Sequence, residues 1–214
     1  MKVKNIFILA AMSLTLASCS DLFEPAEENN RGLDEIYNEP TYAQGLLGYG
    51  YAMLPYNTKS VTDLSTDDAV TNNLTASWLK MATGSWTANS DPMSRWANGR
   101  ACIQYLNIFL QEVDKVNWAK DENARKMYCD SRKGEAYALR ALNLYYLLMN
   151  HGGWTADGKL LGVPNLTVPE TSTDDFNKPR NTFQECLNQI YSDLDEAAKL
   201  LPLDYNDLTD DNAV

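Results

Sequence analysis

Hydrophobic side chains recur at helical spacing in four separate stretches of the chain, and each stretch predicts an amphipathic helix. The predicted helices span residues 40–54, 97–116, 121–149 and 182–201. No stretch alternates apolar and polar residues for long enough to predict a strand. The pattern therefore indicates a mainly α protein, built from antiparallel helix pairs with long irregular loops between them.

Residues that favour helix starts stand at the N-terminal border of three stretches. Pro40 suits the first turn of its helix, and Asp121 is a predicted N-cap. Thr182 and Glu185 have the spacing of a capping box, in which each residue satisfies a backbone N–H at the start of the helix. These signals fix where the predicted helices begin.

Helix-ending signals follow the same stretches. Pro55 and Pro202 stop the first and the last helix. His151 is expected to act as a C-terminal cap or dipole partner. The Gly152-Gly153 pair that follows it is expected to supply a left-handed cap. Three glycines in the first helix are expected to permit close packing of another element: Gly45, Gly48 and Gly50.

The third helix is apolar on nearly every face between residues 136 and 149, so it is predicted to lie at the centre of its bundle. One charged residue, Arg140, interrupts this surface. Because a buried guanidinium needs a partner, we expect Arg140 to pair with Glu135 or with a loop carbonyl. The last helix is expected to turn four apolar residues inward: Phe183, Leu187, Ile190 and Leu194.

Residues 57–94 form a polar segment without sustained periodicity, predicted to be an ordered loop region with a short helical piece. Trp78 and Trp86 lie there beside carboxylate and amide side chains. This combination suits carbohydrate, because sugar rings stack on aromatic faces and their hydroxyl groups form hydrogen bonds with planar carboxylate and amide groups. Core packing is the alternative for each tryptophan, and it is the interpretation we favour for Trp96. The candidate ligand-binding residues are Asp67, Asp68, Asn72, Trp78, Trp86 and Asn89.

Adjacent acids such as Asp67 and Asp68 could also be a catalytic carboxylate pair. Neighbouring side chains generally diverge, however, whereas glycoside hydrolases hold two carboxyl groups across the scissile bond. Loop capping is therefore the preferred interpretation, and no catalytic residue is assigned.

The first eighteen residues have the features of a secretory signal rather than of a folded element. Lys2 and Lys4 precede an apolar stretch from residue 6 to 16, which ends in small residues before Cys19. The sequence Leu-Ala-Ser-Cys at 16–19 resembles a bacterial lipobox, in which the cysteine becomes the lipid attachment site. Residues 19–38 are then an acidic tether, and their acidic start resembles a surface-export signal.

Charge and residue counts exclude several classes of function. The chain has 29 acidic and 18 basic residues, a net charge of −11, which argues against nucleic-acid binding. A single histidine, His151, leaves little for a histidine triad or a multi-histidine metal site. No Cys-x-x-Cys pair is present, and we interpret Cys102, Cys129 and Cys186 as buried free thiols. No metal site and no cofactor are predicted.

Four motifs, in order, resemble the SusD/RagB family. The helix from Gly134 to Gly152 resembles its E-A-x-x-L-R-A…Y…L…G helix, and Gly162-Val-Pro-Asn-Leu166 resembles its G-V-P-L segment. The stretch from Pro179 to Pro202 resembles its R-x-T…I…D-L…A…L-P helix. Trp96, Ile103 and Asn107 match its W…I…N helix, and Asp67-Asp68 match its early acidic loop.

The resemblance implies a tetratricopeptide-like helical framework in a lipid-anchored, surface-exposed outer-membrane protein. Such a protein binds nutrient oligosaccharides and delivers them to a TonB-dependent SusC-like transporter, without being an enzyme. Oligopeptide cargo and, less favoured, a surface glycoside hydrolase stay open as alternatives. Because family members are much longer, residues 39–214 are expected to be the N-terminal part of such a helical domain.

The end of the helical array leads to a further expectation. Helix pairs in such arrays bury their apolar faces against the next pair. The acidic residues after Pro202 offer no apolar cover. We therefore expect residues 19–214 alone to be marginally stable and to self-associate, with Tyr191, Leu200 and Leu203 most exposed.

Overall fold

The computed structural model describes residues 37–55 and 62–203. Within these residues there are five α-helices: α1 (Pro40–Ala52), α2 (Leu79–Ala82), α3 (Trp96–Glu112), α4 (Glu122–His151) and α5 (Phe183–Leu200). Short 3₁₀ helices cover Thr62–Ser65 and Val113–Lys115, and the strands β1 (Gly153–Trp154) and β2 (Leu160–Leu161) pair antiparallel. The mainly α class and the four helices predicted from periodicity are confirmed, and α2 is the short helical piece expected in the polar segment.

Both predicted N-caps are present. The Asp121 carboxylate accepts a hydrogen bond from the Ala124 backbone N–H at 2.9 Å, which starts α4. At the start of α5, Thr182 Oγ1 accepts from the Glu185 N–H at 3.2 Å, and Glu185 Oε2 accepts from the Thr182 N–H at 2.7 Å. This reciprocal capping box satisfies two backbone donors that the helix itself leaves unpaired.

The left-handed cap predicted from Gly152 and Gly153 is wrong for the C-cap residue Gly152, whereas Gly153 has a positive φ of 158° as the first residue of β1. Gly152 has φ −75° and ψ 156°, an extended conformation, because the chain leads directly from α4 into β1. Glycine is required there for a different reason. A Cβ at position 152 would lie 2.5 Å from the Leu148 carbonyl oxygen and 3.2 Å from the Phe183 ring.

Successive long helices run antiparallel, as expected. The C-terminal end of α1 lies beside the start of α3, where the Arg95 guanidinium donates to the Met53 carbonyl at 3.0 Å. Further along, Arg140 in the middle of α4 contacts Asp193 in α5, and Leu148 near the end of α4 lies close to the start of α5. Helix α4 packs against α1, α3 and α5.

Two apolar clusters make up the core, and α4 contributes to both. The first joins α1, α3 and α4 around Leu47, Leu106, Phe109 and Leu139. The second joins α3, α4 and α5, with the following members among others: Ile103, Leu144, Leu147, Leu148, Val163, Cys186 and Ile190. The central position predicted for α4 is therefore confirmed.

Three glycines of α1 were predicted to allow close packing of another element, and one of them, Gly50, lies at such a contact. A Cβ on Gly50 would lie 2.9 Å from Leu106 Cδ2 and 3.1 Å from Leu139 Cδ1, so α1 approaches α3 and α4 closely at this residue. Gly45 and Gly48 have no such neighbour within 4 Å, because they lie on the other side of α1.

The cysteines of the described residues are free and buried, as predicted. Burial raises the pKa of Cys102 to about 12. Burial, together with a hydrogen bond to Asp114, raises the pKa of Cys129 to about 12 as well. These thiols are therefore uncharged and unreactive near neutral pH.

Several predicted exposures need correction. Trp96 was interpreted as a core residue, but 42% of it is exposed because it occupies the first position of α3 at the edge of the bundle. Leu194 was expected to face inward but is 45% exposed, and Leu200 is partly covered because it packs over Gly134. Tyr191 and Leu203 are exposed as predicted.

No helix in the part of the chain that the structure describes combines the length and apolar content needed to cross a membrane.

Candidate ligand-binding site

The described part of the polar segment, residues 62–94, is an ordered loop region at the side of the bundle where α1 ends and α3 begins. Its 3₁₀ helix, Thr62–Ser65, packs against α2, which brings the two halves of the segment together. The Lys80 ammonium in α2 donates to Ser90 Oγ at 2.6 Å, so the turn at 87–90 is tied to that helix. Gly84, with φ 65°, makes the reversal between them.

The end of the polar segment is fixed to the framework. The Arg95 N–H donates to His151 Nε2 at 3.2 Å, and the Asp91 carboxylate accepts from the Met93 N–H at 2.8 Å. His151, in the last turn of α4, thus anchors the loop through its ring, whereas a C-terminal cap or dipole partner was predicted. Burial lowers the pKa of His151, which the Asp91 charge opposes and the Arg180 charge reinforces. The ring is therefore neutral near pH 7 and can accept this hydrogen bond.

The six predicted ligand-binding residues lie along this segment, mostly on its surface. Trp78 is the half-buried N-cap residue of α2, whereas Trp86 is 50% exposed and offers part of its ring to solvent. Exposed polar positions account for the others: Asp67, Asp68, Asn72 and Asn89. An exposed indole close to a turn rich in polar groups is chemically suited to stacking on a sugar ring.

The six residues are not bonded to one another. Across the described ranges 37–55 and 62–203, no hydrogen bond or ring contact joins any two of them. The loop-capping role predicted for Asp67 and Asp68 falls to Thr66, whose Oγ1 accepts from the Asp68 N–H at 3.2 Å. The carboxylates of Asp67 and Asp68 are exposed, and no hydrogen bond in the described residues fixes them in the arrangement that a hydrolase needs on the two sides of a glycosidic bond.

A buried polar network joins α3, α4 and α5. Arg140 donates to Asp193 through Nε at 2.8 Å and through Nη2 at 2.6 Å, which is a bidentate ion pair. Its Nη1 also donates to Asn107 Oδ1 at 2.8 Å and to the Thr167 carbonyl at 3.3 Å. The predicted loop carbonyl is confirmed as one partner of Arg140. The predicted acid, Glu135, is wrong.

Glu135 has other partners. It accepts from Arg132 Nη1 at 2.6 Å and from the Tyr51 hydroxyl at 2.7 Å. Five residues separate Glu135 from Arg140, a rotation of about 140° around the helix, so Glu135 lies towards α1 whereas Arg140 lies towards α5. The two residues therefore cannot pair.

Side chains of α3 hold the loop that precedes α5. Gln104 donates to the Glu170 carbonyl at 2.7 Å and accepts from the Glu170 N–H at 2.8 Å. Asn107 Nδ2 donates to the carbonyls of Leu166 and Val168, at 3.1 and 3.0 Å. Sequence reasoning missed this role. The available signal was a polar row, Arg100-Gln104-Asn107, at helical spacing on an otherwise apolar helix.

The described residues were compared with the requirements of a metal-binding site. No group of three histidine, cysteine, aspartate or glutamate side chains in them could hold a metal ion. Cys19, the predicted lipid attachment site, lies outside the described residues.

Comparison with known proteins defines the family. Residues 32–212 match the model of a SusD-like family described as starch-binding and associating with the outer membrane. This match covers most of the chain, and the chain belongs to that family. The resemblance found in the sequence is thereby confirmed.

Individual relatives agree with this assignment. The chain is 26% identical to the SusD-like protein P38 of Formosa agariphila, over 97% of this chain and 40% of that protein. Its structure resembles that of a SusD-like protein from Bacteroides fragilis, with a TM-score of 0.62 and 19% identity over 85% of this chain and 34% of the other. The chain thus spans about 40% of the length of the curated relative it matches.

Proposed function

We propose that this chain belongs to a lipid-anchored outer-membrane protein that binds nutrient oligosaccharides and delivers them to a TonB-dependent SusC-like transporter. The observation that carries the proposal is the family match over residues 32–212, whose description is starch binding in association with the outer membrane. The transporter as partner, the lipid anchor and exposure at the cell surface belong to this proposal.

The arrangement of the chain supports attachment by its N-terminal region. In the proposal, residues 1–18 are removed as a signal peptide, Cys19 carries the acyl chains, and residues 19–38 are an acidic tether to the helical domain that begins at about residue 39. Several acyl chains together give stable anchoring, because each buried CH₂ contributes about 0.8 kcal/mol.

The polar segment is the proposed ligand-binding surface. Its support is the half-exposed ring of Trp86 on a loop that Lys80 and Arg95 tie to the helices. A loop that is already ordered loses little conformational entropy when it binds, which favours affinity. Asp67, Asp68, Asn72 and Asn89 would contribute hydrogen bonds around the ring, and Trp78 would support the segment from its half-buried position.

Isothermal titration calorimetry with maltoheptaose and with a panel of oligopeptides tests the cargo. We expect binding of the oligosaccharide, and a Trp86→Ala variant that binds at least tenfold more weakly. Trp154→Ala is the matched control, since Trp154 is 74% exposed but lies on β1, outside the polar segment. If the chain binds peptides and not maltoheptaose, the cargo is oligopeptide and the proposed oligosaccharide cargo is wrong.

The enzymatic alternative has its own test. Incubation with glycans, followed by a reducing-end assay, should show no turnover. Release of reducing ends that is lost in both Asp67→Asn and Asp68→Asn would establish a hydrolase and contradict the proposed binding role.

A further inference from the structure

The last turn of α4 meets the end of the polar segment at His151, the single histidine of the chain. The His151 Nε2 atom accepts a hydrogen bond from the backbone N–H of Arg95, the residue that follows the polar segment and precedes α3. The Trp96 ring lies edge-on to the imidazole, with 5.3 Å between the ring centroids. The imidazole therefore joins the end of the polar segment and the start of α3 to α4.

This hydrogen bond requires a neutral imidazole. A neutral ring has one nitrogen that accepts a hydrogen bond, whereas both nitrogens of a protonated ring carry hydrogen and donate. Protonation of His151 would place two donors, Nε2–H and the Arg95 N–H, against each other. The contact between α4 and the polar segment thus depends on one proton.

An acid of the same segment is available to the protonated ring. The negative charge of Asp91 acts on the imidazole and favours its protonated form. In the neutral state the Asp91 carboxylate accepts from the Met93 N–H at 2.8 Å, which closes a turn two residues before Arg95. A protonated imidazole competes with Met93 for this carboxylate. Residues 91–95 therefore have a different set of partners for each charge state of His151, which is what a switch requires.

Burial and a positive charge set the pH range in which the ring changes its charge. Burial, reinforced by the charge of Arg180, lowers the pKa of His151. Arg180 lies in the loop before α5 and donates to the His151 carbonyl at 2.8 Å, so it stays close to the ring. The change of charge therefore falls on the acid side of neutrality.

Two further arginines near the junction are engaged elsewhere. The Arg95 guanidinium donates to the Met53 carbonyl at the end of α1, and it lies 5.9 Å from the centroid of the Tyr146 ring on α4. Arg100 of α3 lies over the other partner of the imidazole, Trp96, and pairs with a carboxylate of the loop before α5. Both side chains have partners that do not involve the imidazole.

We propose that His151 is an acid-sensitive switch for the polar segment, whose protonation releases the Arg95 N–H, draws Asp91 towards the ring and weakens oligosaccharide binding. This inference rests on the proposed function, since the polar segment is the proposed ligand-binding surface. Trp86 and the turn at 87–90 lead directly into Asp91, so a change at residues 91–95 reaches that surface along a short path. A loosened loop has to be ordered again when a ligand binds, and this cost lowers affinity.

NMR spectroscopy of the backbone amides between about pH 8 and 5 tests the switch itself. The amide signals of Arg95 and Met93 should shift with the same midpoint as the His151 ring, because protonation removes or exchanges their acceptors. The Thr75 amide, whose acceptor is the Asn73 side chain of the same segment, is the control and should not follow that midpoint. In His151→Gln the side-chain oxygen can accept at any pH, and the two shifts should disappear.

Calorimetry with maltoheptaose measures the consequence for binding. We expect the affinity of the wild-type chain to fall about threefold or more between about pH 7 and 5, whereas His151→Gln should show no such fall. By linkage, bound maltoheptaose should lower the NMR midpoint of His151, by about 0.5 pH unit for a threefold ratio of affinities between the two charge states.

Asp91→Asn is a second, independent variant. It keeps an oxygen for the Met93 N–H but removes the charge that favours protonation, so the transition should move to lower pH. Circular dichroism and thermal unfolding check each variant, and Asp91→Asn decides the matter if His151→Gln fails to fold.

Three outcomes contradict the inference. An Arg95 amide signal that does not follow the His151 titration would overturn the switch but leave the proposed function intact. The same holds for a maltoheptaose affinity that is independent of pH, or that falls equally in wild type and His151→Gln. Failure of the wild-type chain to bind maltoheptaose at any pH would overturn the oligosaccharide cargo and, with it, the effect proposed for His151 on binding.

Discussion

The Arg140 guanidinium and the Asp193 carboxylate form a buried bidentate ion pair between α4 and α5, with side chains only 6% and 3% exposed. Asn107 and Gln189 add hydrogen bonds to this pair, at 2.8 and 3.0 Å. An isolated charge in such a place is costly, whereas a paired and fully hydrogen-bonded one is tolerated. The pair therefore joins the middle of α4 to α5 at a position shielded from water.

Removing one partner should destabilise the fold strongly. Asp193→Ala leaves the guanidinium buried without its counter-ion, and we expect a loss of about 3–5 kcal/mol in the free energy of unfolding. Urea denaturation monitored by circular dichroism measures it. Lys126→Ala, which removes an exposed ion pair with Asp130 on the same helix, should leave the midpoint unchanged.

The double variant Arg140→Met, Asp193→Leu gives a sharper criterion. If the cost of Asp193→Ala comes from an uncompensated charge, the double variant should lose less free energy of unfolding than Arg140→Met and Asp193→Leu lose together as single variants. Strict additivity would show that the two residues act independently.

Sequence patterns predicted the helices well, because their signals are local. The capping residues Asp121 and Thr182 lie three residues from the groups they cap, so spacing alone identifies them. The partner of Arg140 could not be found in this way, since Asp193 is 53 residues away and faces it only once α4 and α5 have packed. Glu135, one of the two predicted partners, is near in sequence but lies on another face of α4.

The candidate site shows the same limit. Sequence composition drew attention to Trp86 and its polar surroundings, and the structure leaves that ring half exposed. The bond between His151 and the Arg95 N–H has no local signal, since the two residues are 56 positions apart and meet only where α4 ends beside the start of α3. Which groups meet in this way is a property of the tertiary structure.

Gly50 should be intolerant of a side chain. Gly50→Ala places a methyl group about 2.9 Å from Leu106 and 3.1 Å from Leu139, both fully buried, so these side chains have little room to move. Overpacking of about 1–3 kcal/mol exceeds the gain in helix propensity of about 1 kcal/mol, and we expect net destabilisation. Gly45→Ala, in open space on the same helix, should instead raise stability by about 0.5–1 kcal/mol. Thermal unfolding should therefore show a lower melting temperature for Gly50→Ala and a higher one for Gly45→Ala than for the wild-type protein.

The free energy of unfolding should decrease as pH is lowered through the range where histidine titrates. Burial lowers the pKa of His151 in the folded protein, so the unfolded chain takes up the proton more readily. The stabilising contribution is complete above about pH 6.5, the usual histidine pKa, and is lost as pH falls below it towards the lowered folded value.

His151 is the single histidine in the chain, so its ring signals in an NMR titration report its pKa directly. We expect a midpoint below about 6.5 in the folded protein, and a His151→Gln variant whose melting temperature falls less between about pH 6.5 and 5. A folded-state midpoint above the usual value would contradict the assignment of His151 as a neutral acceptor of the Arg95 N–H.

Membrane retention should depend on Cys19. Cys19→Ala should leave the protein without acyl chains and release it from the membrane fraction, because no thiol remains for lipid attachment at that position. Cys129→Ala is the control, since Cys129 is buried within the bundle and its loss should not alter partitioning. Retention of the Cys19→Ala protein after a high-salt wash would contradict the lipid anchor.

The outer face of α4 and α5, formed by Leu142, Tyr145, Tyr191 and Leu194, is an exposed apolar groove of about 300 Å³. Contiguous apolar surface of this kind promotes association in soluble proteins. We expect residues 19–214 to show a concentration-dependent mass by size-exclusion chromatography with light scattering, and to bind an apolar dye.

Charged substitutions on the outer face should reverse both properties. Tyr191→Glu with Leu194→Glu should give a monomer with weaker dye binding, because each carboxylate must stay hydrated and prevents a second apolar surface from covering the groove. Leu74→Glu is the matched control, as Leu74 is 87% exposed on the polar segment and lies outside the outer face. A wild-type protein that is monomeric at all concentrations, unfolds in one sharp transition and binds no dye would show that this face is stable in water, and the expected self-association would be wrong.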